Sequence, residues 1–174
     1  MDQATPMRQF NIPLNRDLFL RTLIRELAGT LEEVVGYEEA AGYISLVGQH
    51  MGDWINLLYT REMGVATLNR QQVAEVLVDL KQRILGNFSI VEQDSRKIVL
   101  ESDACPFEDE VLDRPSMCMM TSNVFGVITA ANLGYAKVTL EETIAARCRR
   151  CRVVVHLQPG PEADAAQGRE YYGT

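Results

Sequence analysis

The sequence predicts an α+β fold in which N-terminal helices pack on a small antiparallel sheet and one further helix carries a cysteine. Three observations predict it. Apolar residues recur at helical spacing through the first half, short β-type runs replace them after Gly86, and one more helix-length apolar segment interrupts those runs.

The first helix follows Pro13-Leu-Asn15, with Leu20, Leu23, Ile24, Leu27, Leu31, Val34 and Val35 on its apolar face. Asn15 is its expected N-cap and Gly36 its stop. From Glu38 to about Tyr59, a second helix carries Ile44, Val47, Met51, Ile55 and Leu58 along one stripe. Ala41, Ser45, Gly48 and Gly52 line a neighbouring stripe of small residues, expected to form an exposed face that lets another backbone approach closely. Asn69 with Gln72 three residues later opens a third helix, whose apolar face is Val73, Val76, Leu77, Leu80 and Ile84 and which ends before Gly86.

Phe88 to Glu92 and Lys97 to Glu101 read as two strands joined by a turn at Gln93-Asp-Ser-Arg96. An acidic loop between Cys105 and Pro115 precedes a helix over about Ser116 to Asn132, with Cys118 in its first turn. A thiol there is expected to be acidified by the helix N-terminus. Tyr135 to Thr143 and Arg152 to Leu157 complete the sheet, with Cys148 and Cys151 in the turn between them. Residues 1–15 read as an N-terminal extension, 16–157 as a single sensor or ligand-binding domain, and the Gly/Pro/Ala-rich stretch 158–174 as a flexible tail.

At 174 residues and 47% hydrophobic, the chain buries one core. Its net charge of -7 opposes phosphate backbones, so direct nucleic-acid binding is not expected. With no basic-then-apolar leader and no apolar run near the roughly 20 residues that span a bilayer, the expectation is a cytoplasmic protein that does not enter the membrane. In a reducing compartment cysteines serve as metal ligands, redox thiols or core residues more often than as disulfide partners.

The four cysteines, Cys105, Cys118, Cys148 and Cys151, all fall in the second half. A C-x-x-C pair places two thiolates on one ion, and two more sulfurs complete a tetrahedral set, so the four are expected to form a metal site. Zinc and an iron–sulfur cluster both accept such a set, and spacing does not separate them. Arg147, Arg149, Arg150 and Arg152 flank the pair and would offset its negative charge. Redox-active thiols and simple core cysteines are the competing readings.

On the second helix Tyr43, Val47, His50 and Trp54 fall on one flank and form an expected ligand pocket for a small apolar or aromatic molecule. The alternative makes Trp54 a core residue and His50 a boundary histidine. Met117, Met119 and Met120 beside Cys118 would give a deformable wall or fill the core. His156 is expected at the surface. Glu141 and Glu142, as neighbours in a strand, point to opposite faces. No phosphate-binding glycine loop, G-x-S-x-G or H-E-x-x-H is present, so an enzyme is the less favoured reading.

The segment Ala41 to Gly52, Cys105-Pro-Phe, Cys118 with Phe125-Gly126, and Cys148/Cys151 before the last strand together resemble the 4-vinyl reductase family of small-molecule-binding and sensor domains. The resemblance covers roughly Arg16 to Leu157. It implies a zinc ion near a ligand pocket, with Cys118 and Cys151 as the best-matched ligands and Glu141 or Glu142 close to an acidic one. It also implies a homodimer. This chain departs from that pattern by bringing Cys148 within three residues of Cys151, which leaves Cys105 as the fourth ligand.

The function expected is therefore a sensor with a cysteine-ligated metal centre that signals to a separate partner in response to a small molecule or redox change. A redox enzyme or electron-transfer accessory protein using a cluster at the same cysteines is one alternative. An interaction module with structural zinc is the other.

Overall fold

A computed structural model describes Asn11 and residues 13–173. Helix α1 runs Arg16–Val35 and begins where expected, because the Asn15 side chain accepts a hydrogen bond from the Leu18 N–H at 2.8 Å. Gly36, at φ +86°, is the only residue between α1 and α2 (Tyr37–Met63). Its left-handed backbone gives the sharp change of direction that a side chain would oppose. Helix α2 outruns its expected end and stops at Gly64. Helix α3 (Arg70–Arg83) opens with the full capping box of Asn69 and Gln72.

The small residues of α2 face inward, which corrects the expectation of an exposed face. A Cβ on Gly48 would lie 2.8 Å from Asn123 Cβ, and one on Gly52 would lie 2.9 Å from Val127 Cβ. Both partners belong to α4 (Cys118–Leu133), so α2 and α4 touch almost backbone to backbone. The same rotation turns Val47, Met51 and Leu58 outward.

Strands β1 (Ser89–Gln93) and β2 (Lys97–Ser102) form the expected hairpin, its turn held by Asp94 Oδ1 accepting from the Arg96 and Lys97 amides. Strands β3 (Tyr135–Glu142) and β4 (Cys151–His156) also form as read. The stretch expected as a tail instead carries a short helix α5 (Pro161–Ala165) and a strand β5 (Arg169–Tyr172), which pairs antiparallel with β3. The sheet is antiparallel throughout, in the order β1-β2-β4-β3-β5.

The main core lies between the sheet and helices α3 and α4, centred on Leu77, Phe88, Leu100, Phe125, Ile128 and Val155. His156, expected at the surface, is only 5% exposed, because β4 is an inner strand with neighbours on both sides. Trp54 stands 54% exposed on α2, outside the core. No helix among the described residues is long and apolar enough to cross a membrane.

Candidate functional site

Where α3, the first turn of α4, the inner strands and the loop after β2 meet, they enclose a cavity of about 80 Å³. Each wall follows from local sequence. The α3 stripe Val73, Leu77, Leu80 packs on the sheet and carries Lys81 in with it. Pro115 starts a 3-10 turn that leads straight into α4 and presents Met117 and Cys118. The loop after β2 contributes Ala104, Cys105 and Phe107, and β4 begins at Cys151.

Three of the four cysteines, Cys105, Cys118 and Cys151, line this cavity. Cys148 does not join them. It sits in the loop before β4, where its amide donates to the Thr143 carbonyl at 3.1 Å. Among the described residues no three His, Cys, Asp or Glu side chains converge closely enough to hold a metal ion. Burial pushes the Cys118 thiol up to about 12, and burial raises Cys105 and Cys151 as well. Desolvation of the thiolate thus outweighs the helix N-terminus at Cys118, the reverse of the expected acidification.

Three of the four arginines around Cys148 and Cys151 pair with carboxylates. Arg147 donates to Asp113 at 2.9 and 2.5 Å, Arg150 bridges Glu142 and Glu101, and Arg152 bridges Glu141 and Glu101. Glu141 and Glu142 are held in the same network, outside the cavity.

The cation that does face the cysteines is Lys81, which sequence reasoning missed. Its residue is 5% exposed, its Nζ donates to Thr121 Oγ1 at 2.7 Å, and it stands 5.4 Å from the ring centroids of both Phe88 and Phe125. Burial lowers its pKa to about 8, opposed by the nearby Cys105, Cys151 and Cys118. A signal was present: Lys81 falls four residues after Leu77 and eight after Val73, on the apolar face of α3.

The expected pocket residues lie elsewhere. Tyr43, Val47, His50 and Trp54 do share one flank of α2, but that flank is exposed and none of the four lines the cavity. Phe19, Leu23 and Leu27 of α1 are exposed as well. Met117 and Met120 do line the cavity, as two of its deformable walls.

Solved structures that share this fold include a sensory domain and a trafficking-complex subunit. The phenol-responsive sensory domain of the transcription activator PoxR, solved with phenol, matches with a TM-score of 0.62 at 17% identity, over 92% of this chain and 88% of that one. A trafficking protein particle complex subunit 3 from Naegleria fowleri, covalently bound to palmitic acid, matches with a TM-score of 0.57 at 12% identity, over 81% of this chain and 96% of that one. No curated protein matches the sequence. Residues 23–156 match methanogen output domain 1, a span that takes in α1 from Leu23, α2, α3, α4 and strands β1 to β4, and the chain belongs to that family.

Proposed function

We propose that the chain is a sensory domain that takes a small molecule into the cavity beside Lys81 and signals to a separate protein. The observation that carries this reading is the cavity itself, with apolar walls and a single buried ammonium flanked by two aromatic rings. Ligand sites have this composition, mostly apolar with few polar groups to fix orientation. The likeness in fold to a phenol-responsive sensory domain supports it, as does the resemblance of the motifs to 4-vinyl reductase domains.

Size limits the ligand. A cavity of roughly 150 Å³ holds benzene, so about 80 Å³ admits something smaller unless Met117, Met120 or Ile84 move aside. A sixteen-carbon acyl chain does not fit within it. The test is thermal stabilisation by a panel of small phenols, alcohols and acids, on the native chain and on Ala104→Leu, which fills the cavity from its loop side. Saturable stabilisation lost in the variant supports the reading, and stabilisation that survives in Ala104→Leu contradicts it.

A thiol-bound metal is the second reading, favoured by the placing of Cys105, Cys118 and Cys151 on one cavity. These soft donors suit zinc or an iron–sulfur centre. Cys148 would reach them only if its loop moved. Metal and sulfide content of anaerobically purified protein, compared with Cys118→Ser, tests this reading.

The partner face is the apolar surface of α1 and α2, which we assign to a second copy of the chain. Phe19, Leu23 and Leu27 of α1 and Val47 and Trp54 of α2 are each about half exposed, the kind of apolar side chain that a partner covers. Tyr43, Val47, His50 and Trp54 would then be covered by the partner.

A further inference from the structure

Lys81 has three N–H donors, and Thr121 is its one hydrogen-bond partner among the described residues. It takes part in no ion pair there, and no Asp or Glu lines the cavity. The carboxylates near the cavity cysteines along the chain have other partners: Asp103 accepts from Asn87, Glu108 pairs with Arg21, and Glu141 and Glu142 pair with Arg152 and Arg150. Thiols are weak donors and weak acceptors, so the three cysteines do not replace a counter-ion. Two aromatic rings at 5.4 Å stabilise an ammonium only in part. A buried charge is ordinarily paired, and the cost of leaving one unpaired is large.

We infer that the cavity is built for a small organic anion, a short-chain carboxylate of about four or five heavy atoms, whose carboxylate pairs with Lys81 while its alkyl end meets Phe88, Met117 and Met120. The inference rests on the cavity being a ligand site and adds the ligand's chemical class. The mostly apolar walls favour a carboxylate over a bare inorganic oxyanion, whose remaining oxygens would meet Phe88, Val111, Leu140 and Val153 with Thr121 and Thr143 as the hydroxyls in the lining. An uncharged ligand of the same shape would leave the ammonium as it is.

Calorimetric titration of the full chain with propionate, and with propionamide as the uncharged isostere, tests this. The native chain is expected to bind propionate at least about tenfold more tightly than propionamide. Lys81→Met is expected to abolish that preference, and Lys81→Gln serves where the first variant does not fold. Equal affinity for the two compounds, or a preference that survives in both variants, overturns the inference. Binding of phenol without propionate overturns it too while leaving the cavity as a ligand site, whereas binding of none of the three overturns both.

Discussion

The Nζ of Lys81 lies 2.7 Å from Thr121 Oγ1, and that bond ties α3 to α4 across the cavity. Because it is the hydrogen bond that partners the buried ammonium, its removal is expected to cost more than a neutral pair would. Thr121→Val, similar in shape but without the hydroxyl, should lower stability by about 1–3 kcal/mol. The same change in a Lys81→Met background should cost much less, since no ammonium is left unpaired. Urea unfolding of the four proteins gives the coupling, and additive losses would mean that the bond carries no special weight.

The depressed pKa of Lys81 makes stability depend on pH in a stated direction. The folded value is about 8 against 10.5 unfolded, so below pH 8 the folded state carries the full cost of the buried ammonium. As pH rises from 8 toward 10.5 the folded chain releases its proton first, and the cost is relieved. Relative to Lys81→Met, the native chain should therefore gain roughly 1 kcal/mol between about pH 7 and pH 9. The comparison removes a second, opposite effect: the raised thiols favour unfolding above about pH 9, because burial keeps them neutral while the unfolded thiols ionise.

Gly126 on α4 and Tyr171 on β5 are fitted to one another. A Cβ on Gly126 would meet Tyr171 Cδ2 at 2.1 Å, and the Tyr171 hydroxyl shares a 2.9 Å hydrogen bond with Ser122. Gly126→Ala should therefore push Tyr171 off the helix, costing about 1–3 kcal/mol, and hydrogen exchange should quicken at β5 amides before those of β2 and β4. Unchanged protection of β5 would show that the ring has room to move.

The surface of α1 and α2 gives a separate expectation. Leu27→Glu with Trp54→Glu places two charges on exposed positions of this face, where they cost an isolated monomer little but are desolvated in a dimer. Sedimentation should show the native chain as a dimer and the double variant as a monomer with an unchanged circular dichroism spectrum. A monomeric native chain would give this face to some other occupant.

What the sequence made legible follows from range. Caps are local, so Asn15, the Asn69–Gln72 box and the Asp94 turn were readable and formed as read. The inner strands were readable because apolar runs bounded by turn residues leave few choices. Strand β5 was not, since Arg-Glu-Tyr-Tyr has no alternating apolar signal and owes its pairing to β3 and its burial to Gly126. The facing of α2 was ambiguous for a similar reason: an apolar stripe and a small-residue stripe both predict contact, and only the close approach of α4 decides which turns inward. In the site, the meeting of Cys105, Cys118 and Cys151 was foreseeable, but the cation was sought in the arginines beside the cysteines. Arg147, Arg150 and Arg152 found acidic partners in neighbouring strands and loops, and the cation that faces the cavity is a lysine from a distant helix.

Methionine methyl NMR tests the central claim most directly, because Met117 and Met120 line the cavity while Met51 and Met63 stand exposed on α2. On titration with phenol and with propionate, a sensory cavity beside Lys81 predicts saturable shifts at Met117 and Met120 and none at Met51 or Met63. Shifts confined to Met51 and Met63, or no saturable shift at Met117 and Met120 with either compound, would contradict it.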